Sequence, residues 1–238
     1  MRNGQPDRFV RLAALWSPQG KEPAMTSPRR SHWNDVYTTK PADTVSWFQD
    51  DPTPSLDMIA QTGLGTGDPI VDIGGGASML IDRLLDAGHS AVTVLDIAQA
   101  GLAVAQQRLG ARAVIVTWIA QDVTAWQPPQ DAFSIWHDRA VFHFLVDDAD
   151  RLSYRRALDR GVRAGGFVIL APFALSGPER CSGLPVRRYS ADMLQAELGP
   201  AYHLIDQQPQ THVTPTGNHQ DFIWCLFQKT PTSAAAEP

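Results

Sequence analysis

The stretch Val71-Asp72-Ile73-Gly74-Gly75-Gly76-Ala77-Ser78 carries the clearest chemical signal in the chain. Consecutive glycines let the backbone turn sharply and let a ligand lie against the main chain without Cβ contact. A helix leaving such a turn offers unpaired N–H groups and a positive dipole end, which suit a carboxylate or a phosphate. A dinucleotide fingerprint would put Gly or Ala where Met79 stands, and the Lys and Ser/Thr of a P-loop are missing. Taken alone, the glycines also read as purely structural. Two carboxylates extend the pattern. Asp96, beside Ile97, ends an apolar run 24 residues after Asp72, where it can accept hydrogen bonds from both hydroxyls of a ribose. Asp122, beside Val123, follows the next apolar run, where it can receive an adenine amino group. Either aspartate by itself is equally a loop or helix-capping residue, but all three features in this order lie along one crevice.

A second cluster follows: His137, Asp138, Arg139 and then His143. An imidazole titrates near neutrality and can take a proton from a thiol, hydroxyl or amine. His137, Asp138 and His143 are therefore the catalytic candidates, and Arg139 a substrate contact. The structural alternatives are buried histidines bonded to backbone and an Asp138–Arg139 ion pair. The mixed loop 172–185 brings Arg180 and Cys181, with Arg187 and Arg188 just beyond. Arginines there suit an anionic small molecule, or are plain solvated charge. His212 and His219 lack a third ligand at fitting spacing, so no metal site is expected.

These residues need elements to hold them. Apolar runs at Pro69–Ile73, Ala91–Leu95, Ala113–Trp118, Ala132–Trp136 and Phe167–Pro172 read as buried strands. Helical spacing covers Ala77–Ala87, Ala98–Leu109, Asp148–Val162 (closed near Gly165-Gly166) and Ala191–Leu198, which starts at Ser190. Alternating strands and helices imply a mostly parallel sheet with helices on both faces. Tyr202–Thr214 and Gln220–Lys229, around Pro215-Thr216-Gly217-Asn218, read as an antiparallel hairpin. The fold class is thus α/β, a Rossmann-like, mostly parallel seven-stranded sheet finished by a C-terminal antiparallel hairpin.

Composition bounds the rest. The chain has 238 residues, a formal charge of -5 and only two cysteines. That excludes a disulfide framework and argues against an electrostatic nucleic-acid binder. No apolar run is long enough to span a membrane. Residues 1–40 hold seven basic and three acidic residues, leaving a more acidic body. Residues 1–31 read as a disordered extension, 32–229 as the catalytic domain with 32–54 as a lid segment, and 230–238 as a disordered tail. Met25 is an alternative start.

At these residues the sequence resembles the class I S-adenosylmethionine-dependent methyltransferases. The segment VDIGGGAS is similar to their first motif, with Ser78 in place of the last glycine. The resemblance implies S-adenosylmethionine as cofactor. Asp72, Gly74, Gly75 and Gly76 would border its amino-acid part, Asp96 with Ile97 the ribose, and Asp122 with Val123 the adenine, with His137 also on the cofactor side. The flank His32-Trp33-Asn34-Asp35-Val36-Tyr37, with Lys40 and Val45-Ser46-Trp47-Phe48-Gln49, resembles the N-terminal segment of a bacterial subgroup similar to thiopurine and citrate-synthase-lysine methyltransferases. In such enzymes this segment folds over the cofactor and helps form the acceptor pocket. Trp33 and Tyr37, four residues apart on one helix face, would then touch substrate, and Trp47 or Phe48 would roof the cofactor; the plainer reading is aromatic packing on the sheet. The N/D-P-P-Y/F motif of adenine-N⁶ and glutamine methyltransferases is absent.

The expectation is SN2 methyl transfer to an S, N or O nucleophile of a small molecule, with a protein lysine as the alternative acceptor. Of other classes, an NAD-type oxidoreductase is disfavoured by Met79 and the lack of a Tyr-x-x-x-Lys pair, and a non-catalytic cofactor- or nucleotide-binding module is the remaining reading. Cytoplasmic location and no nucleic-acid, membrane or metal partner complete the set.

Overall fold

The computed structural model describes residues 27–231. The expected disorder of residues 1–26 and 232–238 therefore lies outside the described residues. Helix α1 (Pro28–Thr39) begins inside the segment expected to be disordered. Ser27 Oγ accepts from Arg30 N at 3.2 Å and Pro28 opens the first turn, a start signal the polar surroundings hide. The chain continues through α2 (Thr53–Gln61), β1 (Ile70–Ile73), α3 (Leu80–Asp86), β2 (Val92–Asp96), α4 (Gln99–Leu109), β3 (Thr117–Ala120), β4 (Phe133–Arg139), α5 (Asp148–Gly161) and β5 (Val162–Ala171). A two-stranded hairpin, β6 (Arg180–Cys181) and β7 (Leu184–Pro185), then precedes α6 (Ala191–Leu198), β8 (Tyr202–Val213) and β9 (His219–Lys229).

The main sheet has seven strands in the order β3-β2-β1-β4-β5-β9-β8. β1 to β5 pair in parallel, and β9 runs antiparallel to both β5 and β8. Both faces are covered, which is why the strands read as unbroken apolar runs. Along β5, Val168 and Leu170 enter the core under α5 and α6, while Ile169 and Ala171 enter the one under α2, α3 and α4. Cys225 and Phe227 alternate with Trp224 and Leu226 in the same way along β9.

Two sequence assignments shift. The run 113–118 supplies only the start of β3; Gly110–Ile115 is 3₁₀-helical, with Val114 and Ile115 on the surface. β3 lies at the sheet edge, so two exposed apolar residues before it imitate a buried strand. Gly165 and Gly166 do not close a helix. α5 passes straight into β5, and the glycines sit where the β4–β5 register jumps from Phe133↔Val162 to Ile135↔Phe167, Gly165 at φ +73°.

Candidate active site

The C-terminal ends of β1, β2 and β4 open onto two adjoining cavities, the place where an α/β sheet binds ligands. The first is lined by Leu95, Asp96, Ile97, Asp122 and Val123 on the sheet side, and by Trp33, Trp47 and Phe144 opposite. The second is lined by Asp72, Gly74, Gly75, Ala77 and Ser78 of the glycine turn, with His137, Ser55 and Phe48. Tyr37, Trp47, Gly74 and Arg139 line both.

Alpha1 roofs the first cavity. Trp33 meets Trp47 edge-on at 5.6 Å between ring centroids and Phe144 at 5.0 Å, and Tyr37 meets Trp47 at 6.4 Å. Asn34 Oδ1 accepts from Ala100 N at 3.1 Å, and Arg29 reaches across to Asp122 Oδ2 at 3.4 Å and to Asp150 Oδ2. Tyr37 lies over α4 where only a glycine fits: a Cβ on Gly101 would stand 2.9–3.2 Å from its ring atoms. Its phenol is pushed well above the ordinary range by burial and by the charge of Asp96.

The glycine turn is held from outside by a residue that the sequence reading did not single out. Arg108 of α4 donates to Ala77 O at 2.9 Å and Ser78 O at 2.7 Å, while its Nε and Nη2 engage Asp82 of α3 at 2.6–3.1 Å. Gly76 lines neither cavity. A Cβ there would stand 2.6 Å from Tyr37 Oη and 2.8 Å from Asp96 Oδ2, so its bareness makes room for this chain's own side chains. Asp96 is 5% exposed and Oδ1 accepts from Ala98 N at 2.7 Å; burial nevertheless raises its carboxyl to about 7. Asp122 Oδ1 accepts from Thr124 N and Oγ1, so Oδ2, shared with Arg29, is the oxygen that points onward.

The three catalytic candidates are placed differently. His137 Nδ1 bonds Asp72 Oδ1 at 2.7 Å and Nε2 bonds Ser55 Oγ at 3.0 Å. Both nitrogens are occupied, so the ring has no lone pair to offer an acceptor. Asp138 lies below the cavities, receiving Tyr154 Oη at 2.7 Å and the amides of Val141 and Phe142 at 3.0 and 3.2 Å. Burial lifts its carboxyl to about 6, but it supports the β4 turn and makes no ion pair with Arg139. His143 lines neither cavity; Nδ1 accepts from Phe173 N at 3.2 Å, and burial, then the charge of Arg139, hold it neutral at about 3. Its ring packs against Phe144 at 4.5 Å and Phe173 at 4.4 Å between centroids.

The predicted substrate contacts also separate. Trp33, Tyr37, Arg139 and Cys181 meet at the first cavity. Arg180 instead folds back onto Gly183 O of its own hairpin, and Arg187 and Arg188 pair with Glu197 at 3.1 Å and Glu179 at 2.9 Å. Arg29, Ser55 and Phe144 line the cavities without having been singled out. Arg29 sits before any periodic pattern, and Ser55 and Phe144 carry no local signal at all.

Residues 70–166 match the family described as "Methyltransferase domain". Among solved structures, one concerned with conversion of a disulfide bond into a thioacetal group in echinomycin biosynthesis aligns over 87% of this chain and 95% of its own, at 19% identity and TM-score 0.66. A 1,6-didemethyltoxoflavin-N1-methyltransferase from Burkholderia thailandensis, solved with its substrate and S-adenosylhomocysteine, covers 85% and 87% at 21% identity and TM-score 0.62. A SAM-dependent methyltransferase from Methanosarcina mazei covers 73% and 98% at 15% identity and TM-score 0.61. No curated protein matches the sequence. The structures share the fold, and the domain match makes residues 70–166 a methyltransferase domain.

Proposed function

We propose that this methyltransferase acts on an S, N or O nucleophile of a small molecule. The observation that carries the reading is the pair of cavities meeting at Arg139, Tyr37, Trp47 and Gly74 beneath an aromatic roof. The residues present fit the cofactor: a buried carboxylate at the end of β2 for ribose hydroxyls, apolar Leu95, Ile97 and Val123 for an adenine, and the glycine turn with Asp72 for the amino-acid part. When bound, the cofactor supplies a methyl group already activated by its sulfonium.

The protein's own contribution is positioning and exclusion of water, which suffice when the methyl needs no further activation. Asp96 and Asp122 Oδ2 hold the nucleoside end. Arg108 fixes the carbonyls of the turn, and His137 fixes Asp72. Trp33, Trp47 and Phe144 close the acceptor side. The structural relative described as a 1,6-didemethyltoxoflavin-N1-methyltransferase holds 1,6-didemethyltoxoflavin beside S-adenosylhomocysteine, which supports a small-molecule acceptor. A cytoplasmic setting goes with two free, buried cysteines, Cys181 and Cys225. No helix among the described residues is long and apolar enough to cross a membrane.

Transfer of labelled methyl from S-adenosylmethionine into fractionated lysate, with small molecules and proteins counted separately, tests the acceptor class. Label in the small-molecule fraction is expected; label confined to protein lysines would overturn it.

A further inference from the structure

Arg139 ends β4 and lines both cavities. Its Nη1 donates to Trp47 O at 2.8 Å, and its guanidinium lies 4.8 Å from the Phe222 ring centroid. Nε and Nη2 are shut off from solvent and have no hydrogen-bond partner. No carboxylate pairs with it among the described residues. Leaving donors of a charged group buried and unsatisfied is costly, so a fold retains such a group where a ligand completes it. The nearby carboxylate, Asp72, acts on it only through space and is itself hydrogen-bonded to His137. The Cys181 thiol is pushed up to about 11 by burial and stays neutral, and His143 and His212 are both held uncharged, chiefly by burial and then by Arg139 itself.

The walls state the rest of the ligand's chemistry. Trp33, Trp47, Phe144 and Val141 make the acceptor end of the first cavity apolar and largely aromatic, which favours a flat ring system. No free imidazole lines that cavity, and the one histidine lining the second has both nitrogens engaged. An acceptor that must lose a proton finds no histidine base here, whereas one that arrives ionised needs none. A guanidinium with two adjacent free donors suits a planar, two-oxygen or similarly delocalised anion.

We propose that the acceptor is a planar aromatic acid bound as its anion, with the charged group on Nε and Nη2 of Arg139 and the ring between Trp33, Trp47 and Phe144. This rests on the methyltransferase reading, with S-adenosylhomocysteine occupying the cofactor side. The same guanidinium is within reach of the second cavity, so the cofactor's own carboxylate is the competing source of the anion.

Calorimetric titration of the protein–S-adenosylhomocysteine complex with matched pairs decides between them: salicylate against salicylamide, and 2-mercaptobenzoate against 2-mercaptobenzamide. The wild type is expected to bind at least one acid at least tenfold more tightly than its amide. Arg139→Gln should abolish that preference while S-adenosylhomocysteine affinity stays within threefold, and Arg139→Lys should keep part of it. Unchanged cofactor-product affinity also shows that the variant is folded. Loss of S-adenosylhomocysteine affinity in Arg139→Gln gives the guanidinium to the cofactor and overturns the proposal. Equal binding of acids and amides by the wild type, or binding of neither, overturns it as well. Failure of the wild type to bind S-adenosylhomocysteine is a different result, which would sink the methyltransferase reading itself.

Discussion

Asp72 on β1 and His137 on β4 are directly opposite in register, and a 2.7 Å hydrogen bond joins them across the sheet. The other ring nitrogen, Nε2, lies 3.0 Å from Ser55 Oγ, so one imidazole bridges two buried polar side chains. The sequence presents His137 as a base, and the structure presents it as the link between the glycine-turn strand and α2.

His137→Phe therefore strands two buried polar groups, Asp72 Oδ1 and Ser55 Oγ. It should cost about 2–4 kcal/mol, judged from the penalty for unsatisfied buried groups. Urea denaturation measures this. A loss below about 0.5 kcal/mol, within the range of ordinary surface substitutions, would show that the pairing has no structural weight.

Arg108→Met removes the donors to Ala77 O and Ser78 O and leaves Asp82 unpaired. S-adenosylhomocysteine affinity should fall about threefold to tenfold, the equivalent of roughly 0.7–1.4 kcal/mol. Arg108→Lys should restore less than half of that free energy, because one ammonium cannot span two carbonyls and a carboxylate as the fork does. Unaltered affinity in Arg108→Met would separate this arginine from the turn's function.

Asp96 should make cofactor binding depend on pH. Its carboxyl sits near 7 in the ligand-free protein because it is buried, and ribose hydroxyls donate to the ionised form. Affinity for S-adenosylhomocysteine should be flat above about pH 7 and fall below it, by at most about tenfold per pH unit for one linked proton. The sign reverses for the stability of the empty fold. The folded state keeps a proton that the unfolded chain releases near the ordinary carboxylate range, so this group's contribution weakens as pH rises from about 4 to about 7. Asp96→Asn should remove the pH step in affinity; a step that persists would belong to another group.

The Arg29 contacts should matter locally rather than globally. Its pairs with Asp122 and Asp150 are about a third to a fifth exposed, so Arg29→Ala should cost no more than about 1 kcal/mol of overall stability. Amide exchange over residues 28–40 should nonetheless speed up several-fold, since few other contacts tie the start of α1 to the sheet. Unchanged exchange there would mean that Trp33 and Tyr37 alone hold the helix.

Much of this was legible in the chain, for identifiable reasons. The buried parts of central strands, such as residues 168–171 of β5 and 222–227 of β9, announce themselves as apolar runs, whereas the first half of β5 does not; Ser190 caps α6 as its type and position imply. Asp72, Asp96 and Asp122 come together because strand ends in a parallel sheet share one edge. What stayed hidden depends on contacts across the fold. Nothing near Arg108 in sequence shows that it grips a turn 30 residues earlier, and nothing near His143 shows that its ring is sealed under Phe173. Alpha1 buries only Val36 among its residues and so lacks the apolar stripe that marks a helix, which leaves Arg29 indistinguishable by sequence from a disordered leader.

The most direct test is calorimetric titration of S-adenosylhomocysteine into the wild type and into Asp96→Ala. Wild-type binding at one site per chain is expected, with affinity at least tenfold weaker in the variant, a loss of about 1.4 kcal/mol or more. Equal affinity in the two proteins would contradict the placement of the cofactor on the edge formed by β1, β2 and β4.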